Sequence, residues 1–352
     1  MPPISHKPLQ KICILRLSAI GDVVQASIVV NTLKLSHPQL ELTWIIGKTE
    51  YELLAHLNNI DFIVFDKNKV WKSYKLIAEQ LSGRKFDALL LMQYSLRAGL
   101  LSLLVKAPLR IGYPHQLSRE FHSLFVNQHI TMPTGKHVLD IYYGFAEALG
   151  IKERTNAVPI YYLPDDTQFA ERNLSKDKKI LLISPCSSHS FKNWLPERYA
   201  EVAQVAMQRY DMHPVLVGGN SQNERMYEAR IQQYLHKPCT SLIGKTSLRQ
   251  LAAIVAHSNL VIAPDSAIVH IASALQTPVI GLYAATDAER SGPYRYLDWC
   301  INHYPEALEK YFHKSIKDVR WGKHIKKSNA MELISTQSVL EKLDRIMEAG
   351  AC

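Results

Sequence analysis

The sequence predicts an α/β protein built from two doubly wound, Rossmann-like domains that face each other across a cleft. Three observations predict it. Short apolar runs alternate with segments of helical period along the chain, the pattern restarts after a proline-containing stretch near residue 160, and each half carries a turn that follows an apolar strand and opens a helix. The first turn is Leu17-Ser18-Ala19-Ile20-Gly21-Asp22 and the second is Ala263-Pro264-Asp265-Ser266-Ala267. Turns of this kind, at the carboxyl ends of parallel strands, are where open α/β sheets bind ligands.

In the first half, residues 11–17 form a continuous apolar run, the mark of a parallel strand covered on both faces. Residues 22–36 place Val23, Val24, Ile28, Val30 and Leu33 at helical spacing and stop before His37-Pro38. Further strands are expected at 42–46, 62–65, 88–92 and 109–112, and helices at 50–57, 70–81, 96–105 and 136–149, with Gly150 as a left-handed cap. Residues 156–166, with Pro159 and Pro164, read as a linker. Beyond it come strands at 179–184, 213–217, 260–263 and 279–283, and helices at 196–210, 223–235, 248–257 and 266–275. An amphipathic helix at 338–348 is expected to cross back onto the first half. The domain boundaries read from this pattern are 1–160, 161–333 and a C-terminal helix in 334–352.

The bulk composition is that of a globular chain, with 352 residues, 47% hydrophobic, 21% charged and a formal net charge of +9. The positive charge favours an acidic partner: a nucleic acid, a phosphorylated metabolite or an anionic membrane. No basic stripe interleaved with aromatic residues accompanies it, which argues against a nucleic-acid partner. Five scattered cysteines without a C-x-x-C spacing read as reduced thiols of a cytoplasmic protein. The first residues carry no secretory apolar core, and the apolar stretch 88–104 is interrupted by Gln93 and Arg97, so it makes a poor membrane span. No G-x-G-x-x-G follows the first strand and there is no P-loop motif, which removes support for nicotinamide, flavin and P-loop chemistry. The histidines are dispersed rather than clustered, so neither a metal nor another cofactor is expected.

The residues at the turns carry the chemistry. Asp22 reads as a helix-capping carboxylate or, beside Arg16 and Ser18 at the ligand end of the first strand, as a general base. Asp265 and Ser266 read as a plain turn and cap, or as the start of a helix whose free N–H groups, with the Ser266 hydroxyl, hold a diphosphate approached closely at the small Ala267. His270 is a core histidine unless it turns back toward the ligand. In Ser184-Pro185-Cys186-Ser187-Ser188-His189-Ser190-Phe191-Lys192, the hydroxyls of Ser187 and Ser188 and the Lys192 ammonium suit a phosphate cradle, although a Ser-rich solvated loop has the same composition. Glu224, just after Gly218-Gly219-Asn220, is a first-turn acid or a grip on ribose hydroxyls.

At these residues a resemblance becomes specific. Leu15-Arg16-Leu17-Ser18-Ala19-Ile20-Gly21-Asp22-Val23-Val24 resembles the N-terminal signature of the ADP-heptose:lipopolysaccharide heptosyltransferases. Phe191-Lys192-Asn193-Trp194-Leu195-Pro196, Ala263-Pro264-Asp265-Ser266-Ala267-Ile268-Val269-His270-Ile271-Ala272 and Gly281-Leu282-Tyr283-Ala284-Ala285-Thr286-Asp287 match the same family in order, so that the likeness spans roughly residues 11–294. The resemblance implies a GT-B fold and inverting transfer of heptose from ADP-heptose to the inner core of lipopolysaccharide. Asp22 then takes the place of the catalytic base, Lys192 of the residue at the donor phosphates and Asp265 of the carboxylate near the donor sugar. Ser266 and Ala267 fall at the phosphate-binding helix start, Ser187 and Ser188 beside the diphosphate, and Glu224 at the ribose. Ala267 departs from the Gly that many relatives carry there. The tract 318–328 resembles the heptosyltransferase I, OpsX-like, subgroup, which adds the first heptose to a Kdo-lipid A acceptor.

Such an acceptor carries a carboxylate and phosphates, so it calls for cations. The first half offers Arg97, Arg110, His115, Arg119, Lys136 and His137 in or beside loops, with Ser18 at the first turn, and the stretch 110–137 resembles the family's acceptor-contact region. A dispersed basic surface is also simply a solvated one. Tyr94, Leu100, Leu101, Leu103 and Leu104 either shoulder the lipid or pack the core. The expected setting is the cytoplasmic face of the inner membrane, held peripherally. The competing readings are a transferase for a later core sugar or a protein acceptor, a nucleotide-sugar epimerase on the same twin plan, and a non-catalytic nucleic-acid binder.

Overall fold

The computed structural model describes residues 9–155, 160–327 and 329–350. The N-terminal segment, positions 156–159 of the expected linker, Ser328 of the basic tract and Cys352 lie outside the described residues. The chain divides into two compact units, Met1–Pro159 and Ile160–Cys352.

The first unit runs β1 (Lys11–Leu15), α1 (Ile20–Ser36), β2 (Glu41–Gly47), α2 (Lys48–Leu54), β3 (Ile60–Phe65), α3 (Val70–Leu81), β4 (Ala88–Leu91), α4 (Leu96–Ser102), β5 (Leu109–Gly112), β6 (Gln128–His129) and α5 (Val138–Glu147). The strands form one sheet in the order β3-β2-β1-β4-β5-β6, with every pairing parallel. β1 is central, Leu15 sitting in register between Ile45 and Leu91, and all four of its residues after Lys11 are buried. That explains its unbroken apolar run: a parallel strand covered on both faces has no solvent side on which to place polar residues.

The second unit runs α6 (Pro164–Asn173), β7 (Ile180–Ile183), α7 (Pro196–Tyr210), β8 (His213–Leu216), α8 (Gln222–Tyr234), β9 (Thr240–Ser241), α9 (Leu248–Ala256), β10 (Leu260–Pro264), α10 (Ala267–Leu275), β11 (Val279–Tyr283), α11 (Ala288–Ser291), β12 (Ile301–Asn302), α12 (Tyr304–Phe312) and α13 (Thr336–Glu348). Its parallel sheet is ordered β9-β8-β7-β10-β11-β12, which repeats the strand order of the first unit position for position. In each unit the order therefore reverses beside the first strand, between β1 and β4 and between β7 and β10. These switch points are the crevices where adjacent loops part and leave room for a ligand.

Two expectations are corrected. The stretch 156–166 is not all linker, because Pro164 opens α6 as its first residue, where the missing N–H costs nothing, and Asp166 accepts the Leu163 N–H at 2.9 Å. α13 does not spend its apolar face on the first half. Val339, Leu340, Leu343 and Ile346 lie in the core of the second unit with Ala203 and Ala206 of α7, and the Tyr210 hydroxyl donates to Asp344 at 2.5 Å. The preceding segment is held as well, with Trp194 Nε1 donating to the Ile334 carbonyl at 3.0 Å. Among the described residues no helix is long and apolar enough to cross a membrane.

Candidate functional site

The first corner is built where β1 hands over to α1. The peptide between Ser18 and Ala19 is cis, and α1 then begins at Ile20, so Asp22 stands in its first turn rather than at its first residue. One Asp22 oxygen faces the Ala19 N–H at 3.4 Å and lies 2.5 Å from the Arg16 guanidinium; the other accepts from the Tyr142 hydroxyl at 3.3 Å. The Asp22 side chain keeps 38% of its surface exposed, whereas Arg16 is buried and also donates to the Met92 carbonyl at 2.6 Å and the Tyr113 hydroxyl at 3.1 Å. Burial works against the Arg16 charge, but the Asp22 carboxylate together with Tyr142, Tyr113 and Tyr94 more than offsets it, so its pKa is raised and the cation is permanent. Burial likewise drives the Tyr142 hydroxyl well above its ordinary value, keeping it a hydrogen-bond donor. The result is a carboxylate oriented from behind by a fixed cation and a phenol, with part of its surface open.

A pocket of about 470 Å³ opens in the same unit at the switch point. Ser18 and Leu17 line it from the loop after β1, Lys48 and Glu50 from α2, Lys67 from the loop after β3, and Arg97 from α4. Gln93 shapes its floor by accepting the Leu17 N–H at 2.8 Å, and burial raises the Glu50 carboxyl above its usual range. Of the other cations expected near an acceptor, Arg119 is half-buried with its guanidinium 5.7 Å from the Tyr94 ring centre, and Lys136 is exposed. His137 is buried at the N-cap of α5, where its Nδ1 accepts the Leu139 N–H at 3.0 Å. The ring therefore serves the helix start, a role that sequence alone did not separate from acceptor contact.

The second corner lies at the other switch point. Asp265 follows β10, Ser266 is the N-cap of α10 and Ala267 its first residue. Lys192, from the loop after β7, reaches Asp265 at 2.8 Å, and both side chains are about nine-tenths buried. Burial pushes the Asp265 carboxyl up, but the Lys192 ammonium, then His270 and a hydrogen bond from Thr286, hold it below the usual carboxylate range. The Ser266 hydroxyl is buried without a hydrogen-bond partner, and it makes no bond to its own helix. An orphaned hydroxyl beside the free N–H groups of a helix start is a hydrogen-bond donor set awaiting an anion.

The loop from Ser187 to Lys192 is ordered by its own turns. The Ser187 hydroxyl donates to the His189 carbonyl at 3.0 Å and its N–H donates to Asn193 at 2.8 Å, while Ser188 is exposed. Glu224 stands in a reciprocal cap, accepting the N–H groups of Gly219 at 2.5 Å and Ser221 at 3.1 Å while Ser221 caps α8 in return. Glu224→Ala is therefore expected to lower stability by about 1 kcal/mol through loss of the cap, read by thermal melting. A fall in ADP affinity in the same variant marks a ribose contact in addition.

Residues the sequence did not single out complete this corner. The tract 318–327 folds against it: Trp321 stacks under Arg290 at 4.4 Å, and His324 packs 6.0 Å from the Phe191 ring. Burial, with Lys192 and Arg290 nearby, lowers the His324 pKa to about 4, so the ring is neutral at physiological pH. Tyr142, Thr286, Arg290 and His324 reach their corners only through folding; the available signals were the 281–287 segment around Thr286 and the basic tract around His324.

Comparisons with known proteins bear on the family and the fold. The family model for glycosyltransferase family 9 (heptosyltransferase) matches residues 74–318. The chain is 40% identical over 346 residues to the lipopolysaccharide core heptosyltransferase OpsX of Haemophilus influenzae, covering 98% of this chain and 99% of that one. Among solved structures, a glycosyl transferase family 9 protein of Veillonella parvula superposes with a TM-score of 0.78 at 21% identity, covering 97% of this chain and 99% of that one. The Escherichia coli heptosyltransferase WaaC with ADP superposes with a TM-score of 0.71 at 17% identity, covering 96% and 99%. The two repeated parallel sheets are thus those of a GT-B fold. By sequence over nearly its whole length, the chain belongs to glycosyltransferase family 9, the heptosyltransferases.

Proposed function

We propose that the protein moves heptose from ADP-heptose to a Kdo residue of Kdo-lipid A, the first heptose of the lipopolysaccharide inner core, at the cytoplasmic face of the inner membrane. The observation that carries the reading is the buried Lys192–Asp265 pair beside the unpartnered Ser266 hydroxyl at the start of α10, a receptor for a diphosphate with a carboxylate at hand for sugar hydroxyls. Support for the particular acceptor comes from the pocket at Leu17 and Ser18, in the loop that leads to Asp22, where Lys67 and Arg97 can meet a sugar acid while Lys48 faces Asp66 at 3.7 Å and Glu50 and Glu120 can meet its hydroxyls.

In this mechanism Asp22 accepts the proton of the Kdo hydroxyl as its oxygen attacks the anomeric carbon of the donor. The bond between that carbon and the diphosphate oxygen breaks through an oxocarbenium-like state, and ADP departs with the bonding pair. Arg16 and the Tyr142 hydroxyl hold the carboxylate in position. Lys192, the Ser266 hydroxyl and the N–H groups of α10 spread the charge that develops on the leaving diphosphate. Ser187, Ser188, Ala267 and His270 border the same donor corner in this reading, and Ser18, Arg119 and Lys136 the acceptor side.

The test is an acceptor panel. The protein is incubated with ADP-heptose and, separately, Kdo-lipid A, an already heptosylated core and no acceptor, with the products read by mass spectrometry. One added heptose on Kdo-lipid A alone is the expected result. Addition only to the heptosylated core moves the enzyme to a later step.

A further inference from the structure

The first unit carries an apolar surface that its fold leaves uncovered. On α4 and its C-cap, Leu96, Leu100 and Leu103 recur at helical spacing and are exposed, Leu103 at 62%. The adjoining 3₁₀ turn His122–Phe125 adds Leu124 at 78% exposed, with Phe121 just before it at 71%. The two elements form one ridge. A side-chain carbon added at Gly99 would lie 2.4 Å from the Phe125 ring, and the Glu120 carboxylate accepts the Leu96 N–H at 2.8 Å. Arg110 clamps them together, donating to the carbonyls of Phe125 at 2.8 Å, Ser102 at 2.9 Å and Val105 at 3.0 Å. Large side chains held outward on a rigid pair of helical turns cost solubility unless a partner covers them.

The charge around the ridge says which partner. Residues 92–137 contain five Arg and Lys against a single carboxylate, Glu120; with Arg110 spent on the clamp, Arg97, Lys106, Arg119 and Lys136 remain around the ridge. Glu120 is turned toward the start of α4. Apolar side chains proud of a strongly cationic surface match an anionic bilayer, which offers hydrocarbon just beneath negative headgroups. Position agrees: Arg97 and Glu120 also line the pocket at Leu17 and Ser18.

We propose that the ridge Leu96–Leu100–Leu103–Phe121–Leu124 is the face by which this protein docks on an anionic lipid bilayer, delivering a membrane-held acceptor's sugar to the neighbouring pocket. The purpose assigned to the docking rests on the lipid acceptor proposed above. Leu100 and Leu103 thus belong to the lipid shoulder, while Leu101 is buried in the core.

The test is flotation of the whole chain with vesicles of phosphatidylethanolamine and phosphatidylglycerol, and with vesicles of phosphatidylcholine. The wild type is expected to float with the anionic vesicles, to release them as salt rises, and to ignore the neutral ones. Leu103→Glu with Leu124→Glu is expected to weaken the anionic binding at least about tenfold, because two charges replace buried apolar contacts in the headgroup layer. Both positions are exposed, and an unchanged melting temperature establishes that the variant is folded; Leu124→Ser gives a milder second probe. Heptose transfer to a deacylated, water-soluble acceptor is expected to survive in both. Failure of the wild type to float with anionic vesicles, or flotation of the folded double variant like the wild type, overturns the proposal. So does loss of transfer to the deacylated acceptor, which would place the ridge in the sugar site. A wild-type dimer in sedimentation that the double variant dissolves, with flotation unchanged, reassigns the ridge to a second copy of this chain. Docking without heptose transfer to any acceptor would instead fail the proposed function and leave the lipid face standing.

Discussion

Asp22→Asn is expected to slow heptose transfer by at least about a hundredfold, while ADP affinity by calorimetry stays within error of the wild type. The amide has nearly the shape of the carboxylate and still accepts from Tyr142, but it cannot take a proton from the acceptor hydroxyl. ADP affinity is unaffected because the proposed diphosphate site is built from residues of the second unit. A second effect comes from the buried Arg16, which keeps the Met92 carbonyl and the Tyr113 hydroxyl but loses its counter-charge. With Asp22 itself partly exposed, the loss of stability is expected at about 1–3 kcal/mol, below that for a fully buried pair. Transfer at near wild-type rate removes Asp22 from the base's role and leaves it a helix-start carboxylate. A stability loss without a rate loss identifies it as the partner of Arg16 alone.

Lys192→Met is expected to damage both folding and donor binding, because its ammonium faces a carboxylate that is itself buried. Removing one member of such a pair strands the other charge, which costs about 3–5 kcal/mol at neutral pH. The pH dependence has a definite sign. In the wild type the Asp265 carboxyl is held below its unfolded value, so the pair contributes stability above about pH 4 and loses it as pH falls through the lower, folded pKa. Without Lys192, burial dominates and raises the carboxyl above its unfolded value. The variant therefore suffers its full penalty at neutral pH, and the gap from the wild type narrows on acidification. Lys192→Met with Asp265→Asn removes the stranded charge, so most of the stability is expected back while ADP affinity stays low. Recovery of both reduces the pair to a structural role. Denaturant melts across pH and ADP titrations read the two effects separately.

Much of the architecture is written locally. The ranges read for α3, α7, β5 and β11 coincide with the observed elements, because each is a bounded apolar or amphipathic run with a clear stop. The two-residue strands β6, β9 and β12 and the one-turn α11 are too short to show any period. α6 and α12 were hidden by proline at their starts, Pro164 and Pro305, where the residue that ends one helix pattern can equally open another. The amphipathic stripe of α13 was legible, but a stripe does not name the surface that covers it; the core around α7 does.

The two corners were legible for a related reason: a carboxylate or hydroxyl just after a buried strand lies at the ligand end of a parallel sheet whatever the rest of the chain does. Their supporting residues were not. Tyr142 reaches Asp22 from 120 positions away, and His324 meets Lys192 only once the tract 318–327 has folded over. Burial drew a further line that composition cannot: Leu101 and Leu103 are the same residue two positions apart, one in the core and the other in solvent.

The central claim is that a hydroxyl activated at Asp22 displaces ADP from the sugar in a single step. The anomeric configuration of the transferred heptose, read by the one-bond carbon–proton coupling at its anomeric carbon, tests it most directly. Direct displacement predicts a configuration opposite to that of the donor. A product of retained configuration would contradict the account, since it requires a second displacement or a different reacting face, for which Asp22 as base has no place.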